Sequence, residues 1–537
     1  MNSTSPLAFT VGDLLDIQGD ARGNHPFLIC DDDVLTYADA ADRSAALALG
    51  LIASGCAHGS RVGILYPNGV GFAIASLAAA RFGAVAVPLS TFSTAIELGS
   101  LLRNADVDMV LCTSTYRRQD YVTILAQAIP ELDLGSPPPL FAPSVPSLRK
   151  LSFDGSDGVI DEGWTLQSLE RAEDTINPDV LMASQFQVRP ADALVVVHTS
   201  GSTAEPKGVL HAHGSLLNHL HVLNGLRRYR KEDILFCNSP FFWIGGYAYA
   251  LLGTLEAGGT LVCSNATQSS DVLDVIERTR PTMVNGFAQS VVHLSNDPSF
   301  PRRDLSSITR GNLYPIMPEA VRPSDPELRH NMLGMTETGS VCLATADDSE
   351  QPETRRGSFG RPVPDIEAKV VDSQSDIAEV GEVGELCLRG PAVMTGYLRK
   401  ERHETFDRDG WYHTGDLFHV DDEGFFYFHG RQSEMIKTSG ANVSPREVEA
   451  AILEETGLVA HVFGEDDEAA GQLVVAVIRT LPTSAVPDPE QLRLHLRSRL
   501  SAYKVPKRIV TLDEKDVPMM SSGKLDMRAL RELVHAS

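Results

Sequence analysis

The sequence predicts an α/β fold built on a parallel sheet covered by helices. Three observations carry this. Short apolar runs ended by Gly, Pro or Asn recur as far as about Asn285, and Ala- and Leu-rich stretches separate them. From about Gly360 the texture changes to short strands between Gly and Asp turns.

Thr36-Tyr37-Ala38 opens an Ala/Leu-rich helix to about Ser54. Gly59-Ser60 turns into the run Arg61-Val62-Gly63-Ile64-Leu65, and Asn68-Gly69 turns again. Residues 73–82 read as a helix and 84–89 as a strand ended by proline. Further strands are predicted at 108–113, 193–199, 233–238, 260–264 and 282–285, and the Pro- and Ser-rich 133–146 reads as a surface excursion. Beyond Gly360, 368–371, 384–389 and 424–428 read as strands of a small antiparallel barrel. A charged link after Gly430 leads to a compact mixed segment: Pro445 opens a helix, 472–478 is a strand and 489–500 a helix.

Composition bounds the function. Among 537 residues, 46 are Lys or Arg and 71 Asp or Glu, a formal charge of −25. A body this acidic repels a phosphodiester backbone, which argues against a nucleic-acid partner but leaves room for a basic cleft around one nucleotide. Hydrophobic residues make up 43%, enough for a large core and too many for a disordered chain. The seven scattered cysteines include no Cys-x-x-Cys pair, so neither a disulfide framework nor a zinc site is indicated. The N-terminus lacks a basic, then apolar, leader and no run is long enough for a membrane span, so a cytoplasmic protein is expected.

The most informative stretch is an apolar strand followed by His198-Thr199-Ser200-Gly201-Ser202-Thr203-Ala204-Glu205-Pro206-Lys207-Gly208. Small hydroxyl residues and glycines line a concavity for phosphate oxygens, and Lys207 supplies a point charge. It is not a Walker A loop, because Lys207 precedes Gly208 and no Ser or Thr follows the lysine. An ordinary polar turn fits these residues alone equally well.

Four later stretches settle the choice. They are Leu333-Gly334-Met335-Thr336-Glu337-Thr338, then Trp411-Tyr412-His413-Thr414-Gly415-Asp416, then Gly430-Arg431-Gln432-Ser433-Glu434-Met435-Ile436-Lys437-Thr438-Ser439-Gly440, and finally Pro518-Met519-Met520-Ser521-Ser522-Gly523-Lys524. With the loop, these resemble in order the motifs of the adenylate-forming acyl-CoA ligase superfamily. Acyl- and aryl-CoA synthetases, peptide-synthetase adenylation domains and firefly luciferase belong to it. Weaker similarity begins near Tyr37, so the resemblance spans nearly the whole chain.

The resemblance implies an AMP-binding domain, 1–430, of two layered α/β subdomains plus a small β-barrel. A hinge at 431–434, with Ser433 as its pivot, and a mobile α+β domain, 435–537, would follow. It implies an acid–thiol ligase using ATP, Mg²⁺ and coenzyme A. A carboxylate attacks the α-phosphorus, pyrophosphate leaves, and a thiol then displaces AMP from the acyl-adenylate. Thr199, Ser200, Gly201, Ser202, Thr203 and Lys207 would cradle phosphate, with Gly334, Met335 and Thr336 at the nucleotide. Glu337 would hold Mg²⁺, a hard cation that takes oxygen ligands. Asp416 would accept from the ribose hydroxyls, and Arg431 would reach ribose or phosphate. Lys524 would bridge carboxylate and phosphate oxygens, making Lys524, Thr336 and Glu337 the catalytic set. Ser439, Gly440 and Ala441 would line the pantetheine passage after the small domain rotates. Lys504, Lys507 and Arg508 are candidates for the CoA phosphates, although a solvated basic face fits them as well.

The substrate side is read from Ser239–Gly246, where Phe242, Trp243, Gly245 and Gly246 leave an apolar space; Gly286 and Phe287 form another wall. An α-amino acid is disfavoured because its ammonium would be buried unpaired. An aryl, fatty or polycyclic carboxylic acid fits.

Several residues depart from the pattern. Ala204 stands where such loops carry glycine, and its methyl strains the loop by about 1–2 kcal/mol or intrudes on the pyrophosphate. One alternative is therefore a ligase with impaired adenylation that thioesterifies an acyl-adenylate supplied by a companion adenylating ligase. Others are an acyl-AMP ligase loading a carrier protein and a non-catalytic nucleotide-binding scaffold; Lys524, Glu337 and Asp416 argue against the scaffold. Leu333 stands where an aromatic usually stacks on adenine, with Tyr314 as a candidate replacement. His198 reads as packing. His211, His213, His219 and His221 read as strand and helix residues beside the loop rather than a metal cluster.

Overall fold

The computed structural model describes residues 9–155, 160–199, 206–286, 288–432, 436–438, 441–443, 445–467, 471–481, 488–497, 500, 504–520 and 525–535. The chain divides into two compact units. The first comprises Met1–Arg356, Pro362–Glu367 and Arg389–Gly410; the second comprises Gly357–Arg361, Ala368–Leu388 and Trp411–Ser537.

In the first unit the alternation of strand and helix builds two sheets. One has seven strands in the order Gly396–Tyr397, Lys207–Ala212, Ala193–Thr199, Val85–Pro88, Arg61–Leu65, Met109–Thr113 and Lys150–Asp154. Its pairings are parallel except those made by Lys207–Ala212, which is antiparallel to both its neighbours. The other has six, in the order Arg310–Gly311, Met283–Val284, Ile234–Phe236, Thr260–Cys263, Pro26–Cys30 and Asp33–Thr36.

Helix Val70–Arg81 explains how the sheets are layered. It starts at Gly69, whose φ of 136° suits glycine, and every residue from Phe72 to Arg81 is buried. A helix apolar on all sides has no solvent face. Accordingly, Phe72, Ile74 and Leu77 share one core with Val62 and Val195 of the first sheet and Leu28 and Leu261 of the second. Each such large side chain contributes about 1.5–3 kcal/mol by leaving water. Helix Tyr37–Ala53 begins where expected, fixed by a capping box: Thr36 Oγ1 accepts from the Asp39 N–H, and the Asp39 carboxylate accepts from that of Thr36.

One expectation needs correction. The 133–146 stretch is irregular but not a free excursion. Leu140, Ala142 and Val145 are buried in a second core with Tyr121, Phe153 and Trp164, so its apolar residues anchor it. The strands expected beyond Gly360 form a sheet in the order Glu367–Val371, Gly384–Arg389, Tyr412–Val420 and Phe426–Arg431, the last three pairing antiparallel.

The rest of the second unit is α+β. Gly471–Thr480 pairs antiparallel with Ala460–Asp467 and parallel with Arg508–Asp513. Its run Val474–Ile478 is buried, and helices Pro445–Thr456 and Pro489–Leu496 contribute Val448, Ile452, Leu492 and Leu496 to the same core. Among the described residues, no helix is long and apolar enough to cross a membrane. All seven cysteines are buried thiols.

Candidate active site

The strands that flank the hydroxyl-rich loop, Ala193–Thr199 and Lys207–Ala212, pair antiparallel. Lys207 lies opposite Thr199 and Gly208 opposite His198, so the lysine stands at the mouth of the loop. A Cβ at Gly208 would sit 2.9 Å from Leu398 and Val196, which is why glycine follows the lysine. The other edge of the lysine strand pairs Val209 with Tyr397. That register sets the Lys207 ammonium 5.3 Å from the centre of the Tyr397 ring, a cation–π contact.

The Tyr397 hydroxyl in turn donates to Glu337 Oε1 at 2.8 Å. Glu337 belongs to the short 3-10 turn Thr336–Thr338, held from three sides. The Met394 N–H donates to the Glu337 carbonyl at 2.7 Å. The buried Thr338 hydroxyl lies 3.2 Å from the Met335 carbonyl and 3.0 Å from that of Ser340. Buried His211 donates from Nε2 to the Thr336 carbonyl at 2.7 Å, which fixes its tautomer. Burial pushes the pKa of His211 down to about 4, so it is neutral. Gly334 precedes the turn with its Cα close to the neighbouring strand: a Cβ there would lie 3.0 Å from the Ser340 carbonyl.

The four histidines do not converge. His213 Nδ1 accepts from the Val11 N–H at 3.2 Å, His219 Nδ1 pairs with Asp365 at 2.9 Å, and His221 Nδ1 pairs with Glu256 at 2.7 Å. His198 has both ring nitrogens buried without a hydrogen-bond partner among the described residues, and burial lowers its pKa to about 4.

On the expected substrate side, Phe242 and Trp243 follow strand Ile234–Phe236 and stack edge-on, centroids 5.5 Å apart. Phe92 meets both, 5.3 Å from Phe242 and 6.5 Å from Trp243. Asn68 clamps this turn: Oδ1 accepts from the Phe241 N–H at 2.8 Å and Nδ2 donates to the Ser239 carbonyl at 3.0 Å. The two glycines differ. A Cβ on Gly245 would meet nothing within 4 Å, whereas one on Gly246 would sit 2.1 Å from the Pro240 carbonyl. Gly246 thus serves close backbone packing rather than leaving room. Gly286, with φ 149°, is held by the Asn312 side chain, which accepts from its N–H at 3.1 Å and donates to its carbonyl at 2.8 Å. A cavity of about 340 Å³ beside Phe92 and Phe242 is also lined by Asn68, Tyr116, Arg117 and His293. Its wall is mixed, not wholly apolar as the Ser239–Gly246 stretch suggested.

In the second unit, Asp416 is 3% exposed and faces Arg431 across the sheet. The Arg431 Nε to Asp416 Oδ1 distance is 2.8 Å, an ion pair rather than an aligned hydrogen bond. A double bulge positions the aspartate. Where one strand advances from Glu385 to Cys387, its partner runs back from Leu417 to His413 and bows out Thr414-Gly415-Asp416. Gly415 takes φ 73°; its N–H donates to Glu385 Oε1 at 2.9 Å, and Thr414 Oγ1 accepts from the Asp416 N–H at 3.0 Å.

Of the other expected residues, Thr199 ends its strand, Met335 ends Leu333–Met335, and Ala441 opens strand Ala441–Val443. Ser200, Gly201, Ser202, Thr203, Phe287, Ser433, Ser439, Gly440 and Lys524 lie outside the described residues. Lys504 pairs with Glu447 at 2.6 Å, and Arg508 with Glu465 at 3.2 Å and the Val534 carbonyl at 2.6 Å. These two cations therefore brace the second unit. Tyr397, Phe92 and Asn68 escaped the sequence reading. Asn68 carried only a turn signal, and the other two carried none.

The fold is that of the adenylate-forming enzymes. The chain belongs to the AMP-binding enzyme family: the family model for AMP-binding enzymes matches residues 15–398, and that for their C-terminal domain matches 447–524. The mitochondrial medium-chain acyl-CoA ligase ACSF2 of Bos taurus is 29% identical over 523 residues, covering 93% of this chain and 83% of the relative. The 4-coumarate–CoA ligase 5 of Oryza sativa subsp. japonica is 28% identical over 516 residues, covering 93% and 89%. The anthranilate CoA ligase AuaEII, solved with anthranoyl-AMP, superposes with a TM-score of 0.81 at 22% identity, covering all of both chains. At that identity the likeness shows the fold.

Proposed function

We propose that this ligase joins an apolar carboxylic acid to coenzyme A through an acyl-adenylate. The observation that carries the reading is the relay Lys207–Tyr397–Glu337 at the mouth of the hydroxyl-rich loop. A lysine ammonium is a compact charge suited to phosphoryl oxygens, and preorganised charges of this kind stabilise a transition state without reorganising. A carboxylate beside polyphosphate is repulsive unless a cation lies between them. Tyr397 engages Oε1 of Glu337 and restrains the carboxylate, which supplies hard oxygen ligation, so Mg²⁺ fits here. When bound, Mg²⁺ supplies neutralisation of phosphate charge. Thr336 stands beside it for the α-phosphate, with its carbonyl held by His211.

Asp416 receives the ribose hydroxyls, its burial and its Arg431 partner keeping it oriented. Lys524 bridges the carboxylate and phosphate oxygens in the first half-reaction. The chain is read as an adenylation domain, 1–430, a hinge at 431–434 around Ser433, and a mobile domain, 435–537. Rotation exchanges Lys524 for the pantetheine passage at Ser439, Gly440 and Ala441. Seven buried thiols suit a reducing, cytoplasmic setting.

The aromatic trio Phe92, Phe242 and Trp243 favours an aryl, fatty or polycyclic acid. The names of the medium-chain and 4-coumarate relatives agree with that class. Ala204 points to a slow first half-reaction, so a companion ligase supplying the adenylate is a second route to the same thioester. The test is mass spectrometry on a panel of carboxylic acids with coenzyme A, run with ATP and separately with synthetic acyl-adenylates. The reading expects a CoA thioester in at least the second arm. Product from neither arm, across the panel, contradicts it.

A further inference from the structure

The proposed reaction leaves unused a cluster of unlike donors in the second unit. Glu385 and Cys387 stand two residues apart on Gly384–Arg389, hence on one face, and His413 faces Cys387 from the next strand. The bulge bends the strands so that His413 Nδ1 lies 2.8 Å from Glu385 Oε2 and 3.4 Å from Cys387 Sγ. One ligand atom from each of the three falls within 4.8 Å of the others. No other group of three or more such side chains is so placed among the described residues.

We propose that Glu385, Cys387 and His413 form a zinc site. A thiolate, an imidazole and a carboxylate suit a borderline-soft divalent ion, whereas Mg²⁺ keeps to oxygen ligands. Bonds of about 2.0–2.3 Å place tetrahedral ligand atoms roughly 3.3–3.8 Å apart; His413 Nδ1 and Cys387 Sγ already stand 3.4 Å apart, and Glu385 Oε2, at 2.8 Å from Nδ1, draws back by about half an ångström to admit the ion. Binding releases the thiol proton of Cys387 and any proton on His413 Nδ1, and the ion takes their place. The His413 side chain is 37% exposed, which gives the ion an entry path and leaves a fourth position to water. Glu385 meets both demands, because Oε1 accepts from the Gly415 N–H while Oε2 faces His413. An ion on Oε2 therefore secures the bulge rather than competing with it.

The test uses the full chain, stripped by a chelator and titrated with Co²⁺, then with Zn²⁺ against a chromogenic chelator. The site predicts one equivalent of Co²⁺ with a thiolate-to-cobalt charge-transfer band and tetrahedral visible bands, all displaced by Zn²⁺. Lost outer-shell partners alone weaken metal sites by about 10–100-fold, so His413→Ala and Cys387→Ser should each weaken zinc binding by at least about a hundredfold. Cys387 is buried; should its serine variant fail to fold, His413→Ala and Glu385→Gln, on the more accessible ligands, decide the matter. Absence of the charge-transfer band in the wild type, or zinc affinity unchanged in these variants, overturns the proposal.

Discussion

Tyr397 donates its hydroxyl to Glu337 Oε1 at 2.8 Å, joining two residues 60 positions apart in the chain. The same ring carries the Lys207 ammonium 5.3 Å from its centre, so one tyrosine contacts both charges. Hydrogen bonds to charged groups contribute about 1.5–3 kcal/mol, and about 1.4 kcal/mol is a tenfold rate. Tyr397→Phe keeps the ring and loses the bond. Adenylation should therefore slow about 10–100-fold at limiting Mg²⁺, with thioesterification of a preformed adenylate near the wild-type rate. Rapid-quench measurement of the two half-reactions checks this, and an equal fall in both would show that the hydroxyl only supports the fold.

Acid should destabilise the first unit. Burial lowers His198, His211 and His213 from the ordinary value of 6.5 to about 4. As pH falls through 6.5 the unfolded chain binds protons that the folded chain refuses, so stability is full above that value and is lost down to about pH 4. Each group contributes about 3 kcal/mol at most. The window from pH 6.5 to about 5 separates these histidines from most carboxylates. Unfolding temperatures recorded at one scan rate should be flat above neutrality and fall within that window. A flat profile down to pH 5 would contradict it.

The paired glycines after Trp243 should respond oppositely. Gly246→Ala forces a methyl to within 2.1 Å of the Pro240 carbonyl. Overpacking of that kind costs about 1–3 kcal/mol, so the variant should melt several degrees lower. Gly245→Ala meets open space; it should melt as wild type and shift preference among acids of different bulk. Thermal scans and a competition assay with mixed acids read both outcomes.

These contrasts mark what the sequence could carry. The strand Arg61–Leu65 and most of the helix Val70–Arg81, expected over 73–82, are visible because burial on every face leaves a continuous apolar run. Thr336, Glu337, Asp416 and Lys207 stand out in the sequence because their motifs are local, and the structure brings Lys207 and Glu337 to one tyrosine. Tyr397 was not, since the Val209–Tyr397 pairing that brings it to Lys207 is set by sheet register. The bulge at Thr414-Gly415-Asp416 was equally hidden. It arises from a mismatch between two strands, and neither strand alone records it. The anchoring of 133–146 is not legible, because the three residues buried there, Leu140, Ala142 and Val145, follow no period among prolines and serines.

Ala204→Gly should speed acid-dependent ATP–pyrophosphate exchange. Relieving about 1–2 kcal/mol of loop strain corresponds to roughly 5–30-fold. Conversion of a synthetic adenylate to thioester, which uses no pyrophosphate site, should be unchanged. Equal exchange in both proteins would mean that the loop accommodates the methyl.

The central claim is that one chain forms a mixed anhydride with AMP and then opens it with a thiol, using the lysine at 524 only for the first task. The direct measurement compares wild type with Lys524→Ala in both half-reactions, on an acid chosen from the panel. Loss of such a preorganised donor should lower pyrophosphate exchange by about 10²–10³-fold and leave thioester formation from the preformed adenylate intact. A variant that keeps its exchange, or loses both steps equally, would contradict it.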